Sequence, residues 1–170
     1  LVNCIGELVF DLKVLAIGIL DTILTSFVRL LTVQDDNRST FNLLLAVASS
    51  LLKIIETVPL FLSPYLKQII QQISRIVPAL KLLQDPKIGL TTAKISKIWS
   101  TMAQLVPLRV LLPTVSDVFN KIAEKGNFTS IEPLMQLARE IFQHANAADL
   151  KTYQTELTEF FIQALDFRCI

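Results

Sequence analysis

The sequence predicts an all-α fold in which about four antiparallel helix pairs stack into a solenoid. Three observations carry that prediction. A proline-punctuated stretch, VPLFLSPYLKQIIQQISRI from Val58 to Ile76, returns as VPLRVLLPTVSDVFNKIAEK from Val106 to Lys125. Pro59 and Pro107 are 48 positions apart and Ile73 and Ile122 are 49 apart, so one inserted residue reconciles the copies. Apolar residues recur at helical spacing through nearly every segment between turns. Finally, 52% of the residues are hydrophobic and only 18% charged, a composition rich enough in apolar residues to build a core and unlike that of a disordered chain. Helix pairs repeating at roughly 40–47 residues are the signature of HEAT and armadillo units, so the predicted class is a HEAT/armadillo-like α-solenoid.

The elements follow in order. Ile5, Leu8, Val9 and Leu12 share a helical face between Leu1 and Leu12, and Ile19, Ile23, Phe27 and Leu30 or Leu31 do so between Val14 and Leu31. Gln34 to Arg38 breaks the pattern with turn-forming residues, the Asp35-Asp36 pair reads as a solvated turn, and Ser39 or Thr40 can cap the next helix. From Phe41 to Thr57 the stripe is Leu44, Val47, Leu51, Ile54 and Ile55, continuing to Val58. Pro59 ends that helix, because proline lacks an N–H and disfavours α geometry in the residue before it. Pro64 fits the first turn of the partner helix, whose stripe is Leu62, Leu66, Ile69, Ile70, Ile73 and Val77. An irregular connection is expected from Val77 to Leu90, punctuated by Pro78, Asp85-Pro86 and Gly89, with room for a short helical turn at Leu80. The period resumes with Ile95, Ile98, Trp99, Met102 and Leu105, Pro107 ends it, and Pro113 is expected near the opening of a helix from about Leu111 to Ala123 that Gly126 stops. Thr129 and Glu132 have the spacing of a capping box before Leu134, Leu137, Ala138, Ile141 and Phe142. A last helix, opened at Asn146 to Asp149, runs to about Phe167 with Leu150, Leu157, Phe160, Phe161, Ala164 and Leu165 inward. The pairs are thus about 1–31, 41–77, 91–124 and 130–167, a single α-solenoid segment, and a chain that begins in mid-pattern reads as a fragment of a much longer repeat protein.

The pattern offers little chemistry. No catalytic, cofactor-binding or metal-binding residues are assigned, and no enzymatic activity is expected. His144 is the only histidine and stands at a helix end; Cys4 and Cys169 have no metal-ligand spacing; Gly6, Gly18, Gly89 and Gly126 form no phosphate loop. Glu156 and Glu159 read as a solvated surface and Trp99 with Met102 as core. The sequons at Asn37 and Asn127 read as turn chemistry. Mean hydropathy is +0.52, but the longest stretch without a charged residue, 39–52, is shorter than the roughly 20 apolar residues a spanning helix needs. No membrane or small-molecule partner is expected. The informative surface signal is charge. Lys67, Arg75, Lys81, Lys87, Lys94 and Lys97 face only Asp85 in their stretch, whereas acids outnumber bases between Asp117 and Asp166. The six cations form a candidate patch for a protein partner or for RNA, with the protein reading favoured because no aromatics are interleaved for base stacking.

LLKIIETVPLFLSPYLKQIIQQI, MAQLVPLRVLLPTVSDVFNKI and the closing Phe160-Phe161 with Ala164-Leu165-Asp166-Phe167-Arg168 resemble the C-terminal part of a known family. It is the HEAT repeat-containing protein 1 family, large nucleolar proteins of the small-subunit processome. The resemblance implies a non-catalytic scaffold in ribosome biogenesis, located in the nucleolus, that serves pre-rRNA transcription and processing through contacts with other processome proteins. Pre-rRNA and small nucleolar RNA are further expected partners, reached by this segment indirectly rather than by direct contact. The helix pairs alone also fit a HEAT-type transport receptor or cytoplasmic adaptor, or an RNA-binding helical repeat using the Lys67 to Lys97 patch.

Overall fold

The computed structural model describes residues 1–31, 38–81 and 87–166, and their side chains except at 38–40, 87 and 166. Asp35-Asp36, the Asn37 sequon, Asp85-Pro86 and Phe167 to Cys169 lie outside the described residues. Nine α-helices and no strand are found among the described residues: α1 Val2–Leu12, α2 Ile17–Leu30, α3 Arg38–Thr57, α4 Ser63–Lys81, α5 Lys87–Leu105, α6 Leu108–Glu124, α7 Ile131–His144, α8 Ala147–Thr152 and α9 Gln154–Asp166. The all-α solenoid is the observed class. Helices α1, α3, α5 and α7 pack side by side in one layer, and α2, α4 and α6 form a second layer against it. Each apolar stripe is thereby hidden between layers, which is what a helix that cannot bury its own face requires.

The links follow from local chemistry. Lys13 takes a positive φ of 51° and turns the chain through one 3-10 turn, Lys13–Ala16, into α2. Pro59 heads the 3-10 turn Pro59–Phe61, and Pro64 sits in the first turn of α4 as its missing N–H allows. After α6, Gly126 adopts φ 64°, while its N–H reaches the Ala123 carbonyl at 3.0 Å and that of Asn127 reaches Ile122 at 3.2 Å. This double bond pattern closes the helix end, and the left-handed residue it needs is glycine.

Several expectations are corrected. Ser39 and Thr40 lie inside α3, which begins at Arg38, rather than before it. Helix α4 runs through Pro78 to Lys81 because its buried stripe continues past Val77 to Leu80, and that burial outweighs the lost helical hydrogen bond. Pro113 lies inside α6, not at its opening, since the helix already starts at Leu108 with Pro107 as its N-cap residue. Thr129 and Glu132 form no capping box. The Thr129 hydroxyl donates to Asn127 Oδ1 at 3.0 Å, and the Glu132 carboxylate instead accepts from Lys81, so neither side chain reaches back to cap α7. The last helix is split at Tyr153 into α8 and α9, with Asn146 capping α8 by accepting from the Asp149 N–H at 2.8 Å. Leu8, Ile19 and Leu165 are exposed rather than inward, because they lie on the outer sides of the first and last pairs, where no described helix covers them.

Neighbouring helices of the first layer meet closely where side chains are small. A Cβ on Gly6 would stand 2.9 Å from Ser50 Cα, so α1 and α3 touch nearly backbone to backbone, and the buried Ser50 hydroxyl donates to the Val2 carbonyl at 2.8 Å. At the other end Phe160 of α9 meets Phe119 of α6 edge to face, with ring centroids 5.5 Å apart, and Phe161 lies 4.7 Å from the Phe142 ring of α7. Trp99 and Met102 are core, as their spacing predicts. None of the described helices is long and apolar enough to cross a membrane.

Candidate interaction surface

The six candidate cations divide between the two layers. Lys67, Arg75 and Lys81 lie on α4, and Lys94 and Lys97 lie on α5. Lys87 opens α5, but its side chain lies outside the described residues. Three of the five described cations are matched by acids of other helices. Lys67 donates to Asp117 of α6, Lys81 Nζ stands 2.7 Å from Glu132 Oε1 of α7, and Lys97 Nζ stands 4.0 Å from Glu56 Oε1 of α3. Lys53 of α3 is bonded to Glu7 of α1 in the same way. The sequence separations of the hydrogen-bonded pairs, 46, 50 and 51, are close to the 48 or 49 of the proline repeat. The basic stretch and the acidic stretch are one repeat apart, so stacking brings them into register. A charge imbalance along the sequence becomes a set of contacts in space.

The Lys67–Asp117 pair carries the clearest electrostatic signature. The bond to Asp117 pushes the Lys67 ammonium up from its ordinary value, and the same bond, with the lysine charge behind it, holds the Asp117 carboxyl down. Tyr65 on α4 is raised by loss of solvent and by the Asp21 carboxylate of α2. All these groups are partly open to water, so the pairs favour one stacking register more than they add stability.

A groove crosses the first layer between α3 and α5. Leu45 and Ser49 of α3 form one wall, and Leu90, Ala93, Lys94 and Lys97 of α5 form the other. Leu90 is 60% exposed at its mouth. Charge counting picked out the two lysines of this groove but missed its floor. The signal was present, since Leu90, Ala93 or Lys94 and Lys97 fall at i, i+3 or i+4 and i+7 of one helix face.

His144 has chemical neighbours but not a catalytic arrangement. Its Nε2 lies 3.2 Å from Ser100 Oγ, 3.3 Å from Gln104 Nε2 and 3.6 Å from Glu140 Oε2. In a Ser–His–acid relay the carboxylate holds the nitrogen opposite the serine, whereas here all three partners meet one nitrogen. These contacts tie the end of α7 to α5. Among the described residues, no three His, Cys, Asp or Glu side chains gather to hold a metal.

Comparison with known proteins adds the family. The chain is 33% identical over 166 residues to HEAT repeat-containing protein 1 of Danio rerio and 32% identical over 168 residues to that of Homo sapiens, in both cases across 97% of this chain. The Drosophila melanogaster homolog is 36% identical over 126 residues, 72% of this chain. The chain belongs to the HEAT repeat-containing protein 1 family. It spans 8% of the length of the fish and human relatives and 6% of the fly one. No family model matches the chain, and no solved structure matches it. A HEAT repeat assignment accounts for the two layers of helices and for contacts that recur one repeat apart.

Proposed function

We propose that this chain is a C-terminal stretch of a non-catalytic HEAT-repeat scaffold that works in ribosome biogenesis. In this reading it acts in the nucleolus, where pre-rRNA is transcribed and processed, and it contributes to small-subunit processome assembly by binding other protein components. The observation that carries the reading is the match to HEAT repeat-containing protein 1 along nearly the whole chain. The architecture fits a mechanical role: a stack of helix pairs presents successive faces to several partners, each contact modest and the sum strong. Contact with pre-rRNA or small nucleolar RNA is indirect in this reading, because Lys67 and Lys81 are directed at acids of other helices. The test is to tag the full-length protein and follow it by microscopy and gradient sedimentation. Nucleolar signal and co-sedimentation with pre-rRNA particles are expected. A protein that stays out of nucleoli and of those particles overturns the proposal.

A further inference from the structure

The groove between α3 and α5 carries an inference about the kind of partner this surface takes. We propose that it binds a short amphipathic segment of another protein, with aliphatic side chains seated between Leu45, Ser49, Leu90 and Ala93 and carboxylates paired with Lys94 and Lys97. The proposal rests on the protein-binding reading above and names the chemistry of the partner. Leu45 and Ser49 are one helical turn apart on α3, while Leu90, Ala93 and Lys97 run two turns along α5, so the groove is a track about 10 Å long. Two helical turns of a partner, with anchors at i, i+3 or i+4 and i+7, match that length.

Charge selects among possible occupants. The rim carries Lys94, which has no acid within ion-pair distance among the described residues, and Lys97, held only at 4.0 Å by Glu56. An acidic segment gains two cationic contacts there, whereas a basic one meets repulsion. RNA is the poorer fit. The floor is aliphatic with no aromatic to stack a base, and the nearby cations Lys67 and Lys81 are bonded to Asp117 and Glu132. Two lysines would neutralise only about two phosphates, a small electrostatic gain.

The test uses a fluorescein-labelled peptide of about 15 residues, with leucine at helical anchor positions and glutamate on the flanks. Fluorescence anisotropy with the full chain is compared with a scrambled peptide of the same composition and with a labelled oligouridylate. The amphipathic peptide is expected to bind best. Its affinity should fall about tenfold with Lys94→Glu plus Lys97→Glu, and should fall with rising salt, because exposed pairs are screened. Leu90→Glu, at an exposed position, should weaken binding without unfolding the chain, which circular dichroism checks. Equal binding of the scrambled peptide, variants that bind like wild type, or oligouridylate bound as tightly and lost in the same variants would each overturn the proposal. Particle association of the tagged full-length protein separates the two readings. If the chain enters pre-rRNA particles but its peptide binding ignores the lysines, the groove proposal fails and the scaffold stands. If binding follows the lysines while the protein stays out of the particles, the groove stands and the ribosome-assembly role falls.

Discussion

Gly6→Ala tests the close approach of α1 and α3 against ordinary helix propensity. In an unobstructed helix the substitution is favourable by about 1 kcal/mol, since alanine loses less backbone entropy. At Gly6 the added methyl would lie 2.9 Å from Ser50 Cα and 3.0 Å from its Cβ and Oγ, all belonging to a residue 1% exposed. The nearest atom is backbone and cannot rotate aside, so α1 must move off α3. Overpacking of this kind costs about 1–3 kcal/mol. The movement also stretches the 2.8 Å bond from the Ser50 hydroxyl to the Val2 carbonyl, worth about 0.5–1.5 kcal/mol. Setting the propensity gain against these losses leaves a destabilisation near ~2 kcal/mol, or about 4–8 °C in melting temperature for a chain of this size. Gly18, also helical, has nothing within 4 Å of its Cβ position. Gly18→Ala should therefore stabilise by about 0.5–1 kcal/mol. Thermal unfolding by circular dichroism reads both variants, and hydrogen exchange should show lost protection concentrated in α1 of Gly6→Ala. If the two variants are equally stabilising, the helices are not in contact at Gly6 and the packing of the first pair against the second is wrong.

Two further outcomes are expected. Lys13 holds φ 51° and ψ −122° without being glycine, so Lys13→Gly should raise stability by about 1 kcal/mol in urea unfolding, and a loss would mean that its side chain has a structural role. Asp117 is held below the ordinary carboxylate range by Lys67, so its contribution is present above the unfolded value of about 3.9 and is lost as pH falls through the depressed folded value. Lys67 is raised by the same bond, so its contribution is complete below about 10.4 and is lost as pH rises through its folded value. The stability difference between wild type and Asp117→Asn should accordingly be level through neutral pH and shrink at both extremes. A difference that persists unchanged into acid contradicts the pairing.

The fold was legible where a local rule and burial point the same way. Pro59, Pro107 and Gly126 each end a helix for reasons internal to their own backbone, and the stripes from Leu44 to Ile55 and from Leu66 to Val77 are buried. Reading failed where a distant residue decided the matter. Pro78 looked like punctuation because a proline inside a helix loses a hydrogen bond and Asp85-Pro86 and Gly89 follow it, yet the burial of Leu80 keeps it helical. Glu132 has the spacing of a cap, but Lys81, 51 positions away, takes its carboxylate. Leu8, Ile19 and Leu165 fit helical periods that cannot say whether another helix lies beyond them. The groove was half legible: its lysines stand out by charge, while Leu45 and Ser49 reach it from a helix one repeat earlier.

Contacts between residues one repeat apart also keep the stack in order. Apolar stripes of leucine and isoleucine are similar from one pair to the next, so burial alone discriminates weakly between correct and slipped neighbours. Charges discriminate better, because a slipped register leaves Lys67 or Lys81 without its acid and brings lysines of the basic stretch beside one another. Here lysines of α3 and α4 meet acids about one repeat away in sequence: Lys53 with Glu7, Lys67 with Asp117, Lys81 with Glu132. The pairs are exposed, so each adds little to stability, but a mismatched stacking loses several at once and gains repulsion in their place. Spacing the basic and acidic stretches by one helix pair thus specifies which unit follows which. Lys94, on the helix that opens the next unit, takes no part in this pairing among the described residues, so its charge is open to a partner.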